Sequence, residues 1–288
     1  MLLPSFEQLM RLKFMTHSLQ EVCATSIASN NGFVSTVLGQ GLDYESSREY
    51  TINDDVRHID WKVTARAQKA YVKTYRAESD NNIHIVLDLD SYMNFGTRGT
   101  SKLVQGCNVA ALLMWQALFN QDKINLSLNN ANLKHVLQLK PRQADIVQAL
   151  YLLTDPATYI PSQTSDDMEK LIYMLENLGK QQGSSKIFYI ISDFRNVDLE
   201  RLKTQLSLLK SRHKVHLIAI YDIFDKSLPQ VSSLPIKTLS GTKCININAK
   251  VRDSYAKLWT EYVNSLEKMA GQVNFRVHWL DTSKPWKS

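Results

Sequence analysis

Glycine is scarce, at ten residues in 288. Loops that cradle phosphate need glycine where backbone must approach the ligand closely. Neither G-x-G-x-x-G nor G-x-x-x-x-G-K-[ST] occurs, so dinucleotide and P-loop chemistry are not expected. Cysteine is scarcer still: Cys23, Cys107 and Cys244 are far apart and form no C-x-x-C pair. No metal spacing follows from them, and three free, mostly buried thiols fit a reducing compartment. The longest apolar run, Val109 to Leu118, is interrupted by Gln116 and falls far short of a membrane span. The first residues, MLLPSFEQLMRLKF, carry an early proline and Glu7 without an apolar h-region and do not read as a secretion signal. Internal repeats and low-complexity segments are missing too. A soluble cytoplasmic protein is expected.

What is present is an ample supply of core. The chain is 44% hydrophobic and 22% charged, with a net charge of +6. Arg57, Lys62, Arg66, Lys69, Lys73 and Arg76 cluster within twenty positions, and Asp60 is the one acid between them. Only Trp61, Tyr71 and Tyr75 lie nearby as stacking platforms, at strand-like spacing, so nucleic-acid binding is not expected. The pair His213-x-x-His216 lies against the strand-like run HKVHLIAIY and reads as packed or surface histidine rather than metal ligand.

Phe6, Leu9, Met10, Leu12, Leu19 and Val22 recur at helical spacing and predict a helix over 5–24. Residues 25–82 change to period-two alternation in IDWKV and AYVKTY, which predicts a small β-rich unit. From Ile83, IHIVLDL (83–89), KIFYIISDF (186–194), VHLIAIYD (215–222) and VNFRVHWLD (273–281) read as strands. Helices are expected over 101–120, with Leu103, Val109, Leu112, Leu113, Leu118 and Phe119 inward, and over 143–153, 166–178, 199–211 and 252–269. Thr164, Ser165 or Asp166 would cap the third of these. KINLSLN (123–129) and KHVLQLK (134–140) predict a hairpin turning through Asn129, Asn130 and Asn132. Buried strands alternating with amphipathic helices define the expected fold class: α/β, a mostly parallel sheet covered by helices on both faces. An N-terminal helix and β-rich unit would occupy 1–82, and the α/β domain 83–288.

In such a sheet, ligands sit beyond the carboxyl ends of the strands, where the strand order reverses. Asp88 and Asp90 end one apolar strand, and Asp193 ends another. If the two strands are neighbours, three carboxylates converge, and a divalent cation or a basic side chain must hold them together. Alternatively, the three acids cap helices or bind loop amides. The run VLDLDSYM also permits a phosphatase: D-x-D after an apolar strand is how haloacid-dehalogenase-like enzymes begin, with the first Asp as nucleophile and the second as acid/base. Tyr92 departs from that pattern, and no acidic pair follows.

The segment REYTINDDVRHIDWKVTARAQKAYVKTYRAE resembles the domain-of-unknown-function family numbered 58. Gly39, Gly41, Asp43 and Tyr44 match the first part of its pattern. Arg48, Glu49 and Tyr50 match the second, and Asp54, Asp55, Arg57, Ile59, Asp60 and Trp61 the third, with Asn53 in place of the usual Gly. Ala65, Arg66, Tyr71, Val72, Lys73 and Glu78 continue it, and Phe95, Gly96 and Lys102 extend it. The resemblance implies a von Willebrand factor type A-like domain that accompanies a MoxR-type AAA+ ATPase as adaptor or chaperone-like partner, without established enzymatic activity. It also implies a metal-ion-dependent adhesion site. Asp88 and Asp193 align with its acids, and Thr164 with its threonine, but Asp90 and Tyr92 replace its serines. Either an altered site binds magnesium or manganese through Asp88, Asp90, Asp193 and Thr164, or a dead site has its acids neutralised by basic residues.

The charged motif itself reads first as scaffolding. Arg48, Glu49, Asp54, Asp55, Arg57, Asp60 and Arg66 would form an ion-pair network, with Ile59 and Trp61 packing on the opposite face. The rival reading makes this face the docking surface for an acidic partner such as an ATPase ring. Two function classes therefore stand: a non-enzymatic interaction module, and a magnesium-dependent phosphatase-like hydrolase using Asp88 and Asp90.

Overall fold

The computed structural model describes residues 3–18, 42–51, 54–67, 69–77, 81–97, 99–129, 136–159, 170–181, 184–195, 197–238 and 241–283. The chain divides into two compact units, residues 24–80 and residues 1–23 with 81–288. At the N-terminus, α1 (Phe6–Arg11) runs into a 3-10 turn over Leu12–Ser18. Leu9 and Leu12 are buried, the Trp115 indole N–H donates to the Leu9 carbonyl at 3.0 Å, and Phe6 stacks on Tyr151. This segment packs on the larger unit, not with the β-rich one with which the sequence reading grouped it. Its apolar stripe finds a helical partner there.

In the smaller unit β1 (Leu42–Glu49) pairs antiparallel with a later strand across a bulge between Tyr44 and Ser46. The expected strand at IDWKV does not form. A 3-10 turn over Val56–His58 is followed by α2 (Trp61–Ala67), and the chain then enters β2 (Tyr71–Ala77), the partner of β1. Asp60 explains the difference: its carboxylate accepts from the N–H groups of Lys62 and Val63 at 3.1 and 3.2 Å, the N-terminal cap of a helix. Period-two alternation over five residues is too short to outweigh a cap followed by helix-forming Lys, Ala and Arg.

The larger unit builds one six-stranded sheet. Its elements are β3 (Asn82–Leu87), α3 (Lys102–Asn120), β4 (Lys123–Leu128), β5 (Val136–Leu139), α4 (Gln143–Thr154), α5 (Lys170–Gly179), β6 (Ile187–Ser192), α6 (Leu199–Lys210), β7 (Lys214–Tyr221), α7 (Ile223–Lys226), a hairpin of β8 (Ser233–Thr238) and β9 (Gly241–Asn246), α8 (Ala249–Gln272) and β10 (Val277–Asp281). The order is β10-β7-β6-β3-β4-β5, parallel except for the β4–β5 hairpin. From β3 the chain steps outward to β4, and from β6 it steps the other way to β7. The order therefore reverses between β3 and β6, which are neighbours in register, Ile83 opposite Ile187 and Leu87 opposite Ile191.

Both faces of the sheet are covered. On one, Val86, Phe188, Ile190, Leu217 and Ala219 pack with leucines of α5 and α6 and with Leu266 and Met269 of α8. On the other lies α3, buried from Lys102 to Trp115. A Cβ on Gly106 would come within 2.9 Å of Leu87 Cδ1, so a glycine there permits the close approach of helix to sheet. Phe119, expected inward, is 74% exposed because α3 ends one residue later, with Gln121 in the left-handed region. Asn129 is described and buried, whereas Asn130, Asn132 and the proposed caps Thr164, Ser165 and Asp166 lie outside the described residues. Cys107 is buried but Cys244 is exposed, and both are free thiols. The β8–β9 hairpin was missed because Pro235 inside the run argues against a strand. An isolated two-stranded ladder, with Pro235 opposite Cys244, tolerates it. Among the described residues no helix is long and apolar enough to cross a membrane.

The core also carries imidazoles. His84 is fully buried on β3, with Nε2 2.8 Å from Ser127 Oγ and its ring stacked on Phe188. Burial, reinforced by Lys186, pushes its pKa down to about 3, and burial with His278 pushes His216 down to about 4. Between pH 6.5 and those values the unfolded chain binds protons that the folded chain refuses. The histidine contribution to stability is therefore full above pH 6.5 and falls as the pH drops, by about 1.4 kcal/mol per unit for His84 alone. Denaturant titrations at a series of pH values should show a shallower slope between roughly pH 6.5 and 4.5 for His84→Phe than for wild type. Equal slopes would contradict this account.

Candidate functional site

Because β3 and β6 are neighbours, Asp88 and Asp193 come to the same edge of the sheet at the point where the strand order reverses. Both are buried. Asp88 follows β3 directly. Its Oδ2 accepts from Ser192 Oγ at 2.5 Å, and its Oδ1 from Asn129 Nδ2 at 2.7 Å and the Asp90 N–H at 3.1 Å. Burial raises the Asp88 pKa to about 6, with the charges of Asp193 and Asp90 adding to it and the Ser192 hydroxyl opposing.

Asp193 meets a cation. Lys102, at the first position of α3 and 1% exposed, gives its ammonium to Asp193 Oδ2 and lies 3.4 Å from Asp225 Oδ2. Asp225 also pairs with Arg195, Nη1 to Oδ1 at 3.0 Å. The Arg195 guanidinium lies over the rings of Trp259 and Tyr262, and the Tyr262 hydroxyl donates to the Asp193 carbonyl at 2.5 Å. One strand further out, fully buried Asp222 accepts from Thr97 N–H and Oγ1, from Thr282 Oγ1 and from the Phe224 N–H. Burial opposes ionisation of Asp222, but these donors outweigh it and hold its pKa below the usual range. Gly96 starts the turn into α3: a Cβ there would sit 2.2 Å from the Thr100 carbonyl oxygen.

The sequence brought out Asp88 and Asp193 but missed Asp225, Asp222 and the role of Lys102. The signal for the aspartates was the acid after the third buried strand, IYDIFD, which also forms the capping box of α7. Lys102 carried no such signal, since a cation in the first turn of a helix opposes the helix dipole. Asp90 lies beside Asp88, its N–H on Asp88 Oδ1 and its charge felt there, but not as a continuation of the strand. β3 ends at Leu87, and Asp90 opens a 3-10 turn over Ser91–Asn94 and accepts from Ser91 Oγ. Tyr92 is half exposed, and Thr164 lies outside the described residues.

The donors do not fit the divalent ion that the resemblance implies. Both oxygens of Asp88 already accept hydrogen bonds, and Asp193 faces an ammonium. Among the described residues no group of three or more His, Cys, Asp or Glu is arranged to hold a metal ion.

The charged motif sits in the smaller unit. Arg48 forms a bidentate pair with Asp54, Nη1 to Oδ2 at 2.8 Å, and Asp54 also accepts from Thr51 N–H and Oγ1. The Arg48 guanidinium, then the Thr51 donors, hold the Asp54 pKa well below the usual carboxylate range. Lys69 pairs with Glu49 at 2.9 Å. Asp60 is buried, accepts from Ser47 Oγ at 2.8 Å and caps α2, and its N–H donates to the Tyr71 carbonyl. The Ser47 hydroxyl is the largest cause of its lowered pKa, and the Lys73 charge contributes. Asp55 accepts locally, from the Arg57 N–H at 2.9 Å. The wider network does not form: Arg57 and Arg66 make no ion pair among the described residues. Trp61, expected to pack inward, is 70% exposed, because α2 turns its first residue outward where a strand would have turned it in.

Fold and site together define a mixed α/β protein with a mostly parallel sheet, acids gathered at the switch point, and a separate small unit bearing the charged motif. Residues 46–263 match the family described as protein of unknown function DUF58, and the chain belongs to that family. An uncharacterized protein of Mycobacterium tuberculosis and its counterpart in Mycobacterium bovis are each 26% identical over 223 residues, covering 76% of this chain and 68% of theirs. Among solved structures, conserved hypothetical protein BatB of Bacteroides thetaiotaomicron aligns with 66% of this chain and 99% of its own at 14% identity, with a TM-score of 0.36. An aerotolerance-related membrane protein of Bacteroides fragilis aligns with 70% and 92% at 14% identity, with a TM-score of 0.39.

Asp88 gives the site a measurable pH dependence. Its folded pKa is raised, so the stability it contributes is complete below about pH 3.8 and is lost as the pH rises through about 6, a change of about 3 kcal/mol. Asp88→Asn removes this titration, and its amide can still donate to Ser192 Oγ. Guanidinium denaturation should show the variant gaining on wild type by about 3 kcal/mol between pH 4 and pH 8. A constant difference would refute the assignment.

Proposed function

We propose that this chain is a non-enzymatic interaction module: a cytoplasmic adaptor of a MoxR-type AAA+ ATPase, with a von Willebrand factor type A-like body. The observation that carries the proposal is Trp61. It stands 70% exposed in the middle of the motif by which the chain resembles its family, and Arg57, Lys62 and Arg66 around it are exposed as well. An indole in water, with exposed cations close to it in the chain, is poor scaffolding and a good anchor for an acidic partner, since Trp and Arg dominate the energetics of interfaces. Asp54 and Asp60 serve this surface from beneath by fixing the turn and capping α2. The type A-like reading draws its support from acids that follow adjacent parallel strands at the switch point.

The divalent ion is left out of this proposal because the acids are already paired. The hydrolase alternative gains no support either: Asp88 is buried, and both its oxygens are engaged, so it offers no free nucleophile.

The test compares Trp61→Ala and Arg57→Ala with Asp60→Ala, reading thermal melting and binding to the purified ATPase. The first two should leave the melting temperature unchanged, because the side chains are exposed, and should weaken binding roughly thirtyfold for the tryptophan. Asp60→Ala should lower the melting temperature. Undiminished binding by both exposed variants would overturn the proposal.

A further inference from the structure

Every buried acid at the carboxyl edge of the sheet has a partner, and one of those partners is out of place by the rules of helix formation. Lys102 occupies the first position of the 19-residue α3, capped by Ser101. The positive end of the helix dipole lies there, so a cation is disfavoured. It is also 1% exposed, where an ammonium is strongly disfavoured unless paired. Nothing in the helix asks for it; the acids do. Its ammonium lies between Asp193 and Asp225, which come from two different strand ends, after β6 and after β7. Arg195 supplies the second positive charge, on Asp225. Two buried carboxylates thus meet two cations, and Asp88 is served by hydroxyl, amide and backbone donors instead. For Asp193 and Asp225 the two charges of each sign balance without any bound ion.

We infer that the Lys102 ammonium is the resident cation of this crevice. It does for Asp193 and Asp225 what a divalent ion would do, and it keeps such an ion out. Removing it leaves Asp193 without a cation and Asp225 with only Arg195, while Asp88 lies close enough to feel the charge of Asp193. That set of oxygens is one that magnesium or manganese accepts. The inference is independent of the adaptor reading, since its test contains no partner.

The experiment combines calorimetry and thermal melting on the full chain with MgCl2, MnCl2 or EDTA. Wild type should release no heat with either ion and melt at the same temperature with or without chelator. Lys102→Ala should melt about 10 °C lower, should bind one or both ions with measurable heat, and should recover part of the loss on binding. Lys102→Met/Asp193→Asn removes one charge of each sign and should regain more than half of the single variant's loss without metal. If Lys102→Ala does not fold, the double variant decides. Ion binding by wild type would overturn the inference. So would wild-type melting of Lys102→Ala, failure of both ions to bind it, or a double variant no better than the single one.

Discussion

The larger unit depends on one arrangement of charge: a buried ammonium shared by two buried carboxylates at the edge where β6 and β7 end. A parallel sheet that winds outward in both directions from its middle brings its strand ends together at the switch point. In this chain those ends are acidic. Asp88, Asp193, Asp222 and Asp225 are all nearly inaccessible to water, and like charges so placed repel unless each is answered. They are answered in three ways: by hydroxyl and amide donors at Asp88, by two threonines and two backbone amides at Asp222, and by Lys102 and Arg195 at the other two. The first turn of α3, the loop that follows β6 and the start of α7 are thereby tied to one another by groups distant in the chain.

This arrangement shapes what the protein can do. In the crevice Asp193 and Asp225 are paired with cations, and both oxygens of Asp88 accept hydrogen bonds. The Arg195 guanidinium lies in turn over the rings of Trp259 and Tyr262. The side chains that remain in water lie elsewhere, and Trp61, 70% exposed, is the plainest case. In the smaller unit the acids do the supporting work. Asp54 holds Arg48 and the Thr51 turn, and Asp60 holds Ser47 and the start of α2. Within the motif Asp54 and Asp60 bond to the backbone, whereas Arg57, Lys62, Arg66 and the indole are exposed.

Much of this was legible in the chain. Long runs such as IHIVLDL and KIFYIISDF specify buried strands because only a sheet covered on both faces hides so many consecutive apolar side chains. Helical spacing located α3, α6 and α8 to within a few residues, and the acids after the first two buried strands marked the crevice. Short segments were less legible. IDWKV fits a strand or a helix, and the two capping hydrogen bonds that Asp60 accepts from Lys62 and Val63 tip the balance. Pro235 concealed the β8–β9 ladder.

By itself, then, the sequence determined the class of fold, the strands of the central sheet and the family, since periodicity and a long motif are local properties of the chain. Only the tertiary structure decided which charges meet. Lys102 lies about ninety positions from Asp193 and further still from Asp225, and no local preference places a lysine at a helix start. The pairing follows from strand order, which is set by the packing of whole helices and strands, and Coulomb attraction in a buried space then selects the partner. The same holds for Trp61: its exposure depends on whether the chain turns as a helix or runs as a strand, and the bond between Asp60 and the backbone of α2 makes that choice.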